Sequence, residues 1–170
     1  MAHKIYIGID NGHTGTMGWV GENLHPSIIK APTTHKQSYT QKKQKITRVD
    51  HFKVTGWFKE ILGANEPSDV LVVLERPMTN NNRGRAVVSA ARAFEVTWCL
   101  VEQMHFDCVI IDSRRWQKVM LPPDIKGSDN LKAASMEVGL KLFPDQSKVI
   151  TSHKDADGLL MAEWARRVKL

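Results

Sequence analysis

Val70-Leu71-Val72-Val73-Leu74-Glu75-Arg76-Pro77 is the stretch from which the fold is read. Five consecutive aliphatic residues predict a strand covered on both faces, since a strand with one wet face alternates apolar with polar residues. The run stops abruptly at Glu75. Upstream, Ile5-Tyr6-Ile7-Gly8-Ile9 is a second nearly continuous strand and ends at Asp10, and downstream Cys108–Ile111 is a third, short and buried, ending at Asp112. After Asp10 comes a Gly-rich turn (Asn11-Gly12-His13-Thr14-Gly15), then two short strands at Thr16–Val20 and Ser27–Lys30, which together suggest an antiparallel meander.

Helical segments separate the later strands. Phe52, Phe58, Ile61 and Leu62 fall near helical spacing and Gly63 stands where a helix stops. Ala86–Met104 is Ala-rich and helical, and Ser128–Phe143 and Ser152–Val168 predict two more helices. Thr33–Arg48 is polar and basic and reads as a long mobile loop; its tract Lys42-Lys43-Gln44-Lys45 reads as solvated, and any DNA it met would be held through phosphates without sequence readout. The order of three strands, helix, strand, helix, strand, helices makes the chain α/β with a mixed sheet. No repeat, linker or low-complexity tract interrupts its 170 residues, so 1–170 is expected to be one domain.

Composition bounds the function classes. A chain that is 42% hydrophobic is not disordered, and a net charge of +6 with a pI near 9.4 favours a polyanionic partner without specifying one. Cys99 and Cys108 lack metal-type spacing and read as free core thiols of a reducing compartment. No apolar run is long enough for a signal peptide or a bilayer span, so a soluble cytoplasmic protein with no membrane partner is expected.

Three carboxylates stand out by position. Asp10 and Glu75 end strands, where functional groups of α/β sheets gather. Asp157 lies four, seven and eleven residues before Met161, Trp164 and Val168, in line with an apolar helical stripe. Each alone has an ordinary reading: a turn cap for Asp10, an ion pair with Arg76 or Arg83 for Glu75, a first-turn helix charge for Asp157. Brought together, however, they repel, and hard divalent cations relieve that repulsion. Two such cations about 4 Å apart suit phosphodiester hydrolysis. A fourth ligand is open between His153, on the same face of a helix starting at Ser152, and Asp155, favoured by charge but pointing elsewhere in a regular helix. Ser152 and Asp155 also fit a loose capping box.

Ile7-Gly8-Ile9-Asp10-Asn11-Gly12 with Thr14 and Gly18, Leu74-Glu75-Arg76-Pro77, and Ala156-Asp157-Gly158-Leu159-Leu160-Met161-Ala162-Glu163 resemble RuvC-type Holliday junction resolvases, most closely the compact phage-encoded branch. Ser113-Arg114-Arg115-Trp116-Gln117-Lys118-Val119 and the segment from Lys132-Ala133-Ala134-Ser135 to Leu142-Phe143-Pro144 resemble the phage proteins too. The resemblance spans nearly the whole chain in order. It implies an RNase H-like five-stranded mixed sheet flanked by helices, a homodimer, and a carboxylate site binding two Mg²⁺ or Mn²⁺ ions. It further implies branched DNA as partner, with paired nicks across a four-way junction leaving 5′-phosphate and 3′-hydroxyl ends.

Carried over by motif, Asp10, Glu75 and Asp157 take three of four metal-binding positions. At the fourth this sequence departs, with Lys154 where the family has an acid or His, and either His153 or Asp155 substitutes. Met78 stands at the position of a junction-wedging Phe, and an apolar wedge of this kind unstacks bases. Arg83 and Arg85, beside Asn80, form an expected backbone-contact loop, and Arg114, Arg115, Lys118, Lys126 and Lys132 lie in or near the matched segments. One of these lysines is placed to approach the scissile phosphate. The Ala86–Met104 helix, with Ala90, Ala91, Ala93, Phe94, Trp98 and Val101, is the expected dimer surface.

Other functions meet obstacles in the same residues. An actin-like or sugar-kinase ATPase needs a second domain and a second Gly-rich phosphate loop, and the remaining glycines are scattered. A non-catalytic nucleic-acid-binding module of this fold would not need the acids. Among nucleases, the same acids serve flap, junction and RNA–DNA hybrid cleavage.

Overall fold

A computed structural model describes residues 3–12, 14–22, 24–38, 42–77 and 84–170, without the side chain of Arg85. The elements are β1 (Ile5–Ile9), β2 (Thr16–Gly21), β3 (Leu24–Lys30), β4 (Thr33–Gln37), β5 (Lys45–Val49), α1 (His51–Leu62), β6 (Val70–Glu75), α2 (Gly84–Gln103), β7 (Asp107–Ile111), α3 (Ser113–Met120), α4 (Ser128–Leu142), α5 (Ser147–His153) and α6 (Asp157–Val168). Five strands form one mixed sheet in the order β3-β2-β1-β6-β7. β1, β2 and β3 make the antiparallel meander, while β6 and β7 join parallel. This is the five-stranded mixed sheet flanked by helices that the resemblance implies.

β6 is covered on both faces, as its unbroken aliphatic run requires. Val70, Val72 and Leu74 point to one face with Ile5, Ile7 and Ile9, meeting Val54, Phe58 and Ile61 of α1 and Ala93 and Val101 of α2. Leu71 and Val73 point to the other with Tyr6, meeting Trp116, Ile150 and the apolar residues of α6. The β1–β6 register pairs Ile9 with Leu74, so Asp10 and Glu75 leave adjacent central strands at the same C-terminal end of the sheet.

The approach of α6 to the sheet is unusually close. A Cβ at Gly8 would lie 2.2 Å from the Gly158 carbonyl oxygen, and one at Gly18 would lie 2.5 Å from the Leu159 nitrogen. Only hydrogen fits there, so helix backbone rests on strand backbone. The first turn of α6, carrying Asp157, is thereby lowered onto the edge where β1 ends.

Several expectations are corrected. Thr33–Arg48 is not a loop but contains β4 and β5, a separate two-stranded ribbon with Thr33 opposite Val49 and Gln37 opposite Lys45. Polar residues at most of its positions hide the two-residue period from the sequence. The helix expected over Ser152–Val168 is two: α5 ends at His153, Lys154 turns left-handed (φ 54°), and α6 starts at Asp157. The Ser152 hydroxyl bonds the Val149 carbonyl within α5, so there is no Ser152–Asp155 capping box. α6 carries more than a stripe, since Gly158 through Ala165 are all buried, while Val168 is exposed. Phe52 stands out in solvent instead of in the core. β7 is a half-buried edge strand, Cys99 is exposed and Cys108 is half-buried. Ala93 and Val101 of α2 are core residues and not free surface, Phe94 and Trp98 are half-buried against that core, and Val88 and Ala91 are exposed. Among the described residues no helix is long and apolar enough to cross a membrane.

Candidate active site

Asp10, at the end of β1, and Asp155 and Asp157, around the start of α6, bring one carboxylate oxygen each to within 4.8 Å of one another. The break at Lys154 makes this possible. In a regular helix Asp155 would point away from Asp157; with the chain turned left-handed it folds back beneath the helix start. Its Oδ1 accepts the Asp157 backbone N–H at 2.8 Å and the Thr16 hydroxyl at 3.0 Å. The Thr16 oxygen in turn accepts the Gly158 N–H at 3.1 Å. Asp155 is 2% exposed, and Lys132 of α4 approaches its Oδ2 to 3.2 Å. His153 ends α5 on the far side of the break and contributes no atom to the converging group.

Glu75 borders this cluster from β6. Its Oε2 accepts the indole N–H of the fully buried Trp116 at 3.1 Å. Arg76, a candidate ion-pair partner for Glu75, is instead paired with Asp112, which also caps α3. The Ser135 hydroxyl of α4 donates to Asp157.

The electrostatics follow from burial and crowding. Desolvation pushes the Asp10 carboxyl up to about 7, helped by the charges of Glu75 and Asp155 and opposed by Lys132. Glu75 is likewise pushed up to about 7 by burial, with the Trp116 bond working against it and Asp157, Asp112 and Asp155 adding to it. Asp157 is raised by burial and then by Asp155 and Asp10, with Ser135 and Lys132 opposing. Burial works against the Lys132 ammonium, yet Asp155, Asp10 and Asp157 outweigh it and hold that group above the ordinary lysine range. One half-exposed lysine does not balance four neighbouring carboxyls. The donor set is all oxygen, anionic and crowded, which fits hard divalent cations such as Mg²⁺ or Mn²⁺.

The structure therefore assembles Asp10, Asp155 and Asp157, with Glu75 adjacent, and leaves His153 out. Lys132 is the expected DNA-contact residue that reaches the cluster. Arg114 and Lys118 are exposed on α3, Lys126 is exposed ahead of α4, and the Arg115 guanidinium lies 5.4 Å from the Trp164 ring centroid. Met78, Asn80, Arg83 and the side chain of Arg85 lie outside the described residues. Sequence reasoning missed Thr16, Trp116 and Ser135 as partners of the carboxylates. Trp116 and Ser135 lie in segments that carried the resemblance, but no spacing rule ties any of the three to an acid.

The fold is similar to that of T. thermophilus RuvC, solved in complex with a Holliday junction substrate: 16% identity, 98% of each chain covered, TM-score 0.52. No protein-family model and no curated protein sequence matches the chain.

Proposed function

We propose that this chain is a divalent-metal-dependent endonuclease that cuts branched DNA, a Holliday junction resolvase of the RuvC type and of its phage-encoded branch. The observation that carries the reading is the convergence of Asp10, Asp155 and Asp157 beside Glu75, at the strand edge of an RNase H-like fold. The resolved likeness to a protein bound to a junction agrees with it.

In this reading Asp10, Asp155, Asp157 and Glu75 hold two Mg²⁺ or Mn²⁺ ions. When bound, such ions supply a nucleophilic water at neutral pH and charge stabilisation for the leaving 3′ oxygen. Asp155 is held in place by Thr16 and by the first turn of α6, so its role combines liganding with orientation of Asp157. Trp116 and Ser135 fix the rotamers of Glu75 and Asp157, as outer partners of metal ligands do. Lys132, beside the anionic cluster, is placed to neutralise charge building on a scissile phosphate. Arg114, Arg115 and Lys118, with Met78, Arg83 and Arg85, are proposed DNA contacts. A four-way junction offers two equivalent strands, so a two-fold homodimer matches its symmetry.

Cleavage of a four-way junction, a flap, an RNA–DNA hybrid and a linear duplex tests the reading. Metal-dependent paired nicking of the junction is expected. Asp10→Asn, Glu75→Gln and Asp155→Asn should each lower it by at least about 100-fold, several kcal/mol of lost charge stabilisation, while His153→Ala stays within a few-fold of wild type. Activity without metal, or full activity in Glu75→Gln, overturns the active site. Equal cutting of linear duplex overturns junction selectivity.

A further inference from the structure

The β4–β5 ribbon and the start of α1 form a charged, aromatic surface that the carboxylate site does not use. From Asn23 to Val49 the chain has no Asp or Glu but carries Lys30, Lys36, Lys42, Lys43, Lys45 and Arg48. These six equal the net charge of +6, so the remaining Lys and Arg balance the acids one for one. All six are exposed. Five of them lie on the β4–β5 ribbon and its turn and the sixth, Lys30, ends the preceding β3, so the excess gathers in one stretch of chain, which is the distribution expected of a polyanion contact.

The ribbon is held in shape at both ends. At its tip the Gln37 amide donates to the carbonyls of Lys42 at 2.9 Å and Gln44 at 3.1 Å, and the Ser38 N–H donates to Gln44 at 2.7 Å. At its base the Asp50 N–H bonds the Pro32 carbonyl, and the Ala31 N–H bonds the Gly15 carbonyl. Gly15 sits so close over Asp10 that a Cβ would lie 2.7 Å from its Oδ2. The ribbon therefore springs from the edge of the carboxylate site. At that same base, just after β5, Phe52 is 78% exposed, its ring centroid 4.0 Å from that of His51. The nearest acid in sequence, Asp50, is committed to the Lys53 N–H.

We propose that the β4–β5 ribbon is a second DNA-contact element, its lysines gripping the phosphates of one duplex arm while Phe52 stacks on a base unpaired at the branch point. This rests on the branched-DNA reading above and names the part of the chain that senses the branch. The ribbon supplies affinity without sequence readout, through counterion release, and the aromatic ring supplies the preference for an opened base step.

Binding is measured by anisotropy without divalent metal, on a four-way junction carrying 2-aminopurine at the branch and on linear duplex, across a salt series. Lys42→Gln/Lys43→Gln/Lys45→Gln should weaken binding to both DNAs about 10-fold or more and reduce the log–log salt slope by about 3. Phe52→Ala should abolish the 2-aminopurine change and weaken junction binding about 5- to 100-fold, with duplex binding unchanged and Phe52→Trp restoring both. Melting temperatures of all variants should match wild type, since the altered side chains are exposed. A triple variant with wild-type affinity and slope, or a Phe52→Ala protein with wild-type junction binding and fluorescence, overturns the inference while leaving the nuclease reading standing. Wild-type protein that does not bind the junction overturns both.

Discussion

At the scale of single residues the site is costly to the protein that carries it. Asp10 and Glu75 hold protons up to about pH 7 in the fold, and Asp157 is raised as well, whereas in the unfolded chain carboxyls release them near about 4. Raised carboxyls favour the folded state fully below the unfolded pKa, and that contribution is lost as pH rises through the folded pKa. Metal-free protein should therefore melt at a higher temperature at about pH 5 than at about pH 8. Asp10→Asn should stabilise the metal-free protein at about pH 8 by on the order of 1–3 kcal/mol and flatten the pH dependence, read by calorimetry in chelator. Trp116→Phe removes the one hydrogen bond that lowers the Glu75 pKa. The acidic limb of the cleavage profile should then move to higher pH, with several-fold lower rate at about pH 7 and recovery by about pH 9. A limb that stays in place shows that Glu75 does not titrate in the rate.

At the scale of elements, two devices place the acids. One is the glycine contact between α6 and the β1–β2 pair, where a Cβ at Gly158 would lie 2.7 Å from the Gly18 nitrogen. Gly158→Ala must push the helix off the sheet, and should cost about 1–3 kcal/mol in denaturant unfolding and lower metal-dependent cleavage as Asp157 moves. A variant that keeps full stability shows that the helix does not rest on the strand. The other device is the left-handed Lys154 between α5 and α6, which separates His153, at the end of α5, from Asp155 in the cluster. Helical spacing had favoured His153 because it assumes one unbroken helix through that point.

At the scale of the molecule, charge is divided between an anionic, buried centre and a basic ribbon beside it. Divalent cations that bind only the folded chain should stabilise it by about 2.7 kcal/mol at a hundred times the dissociation constant, read as a higher melting temperature. The gain should be larger at about pH 8 than at about pH 5, where protons compete for the same oxygens, and Asp155→Asn should lose most of it. The sequence by itself determined the sheet, because Val70–Leu74 is apolar without interruption and Ile5–Ile9 nearly so, and such runs are stable only when covered on both faces. It also marked Asp10 and Glu75, since a carboxylate at the end of a buried strand stands out against its neighbours. Only the tertiary structure decided the rest: the convergence of Asp155 with Asp10 and Asp157, the Thr16, Trp116 and Ser135 partners, and the ribbon hidden in a polar tract. Those features depend on contacts between residues distant in sequence and on one backbone turn at Lys154. Periodicity reports which face of an element is buried, and it carries no record of which distant side chain meets that face.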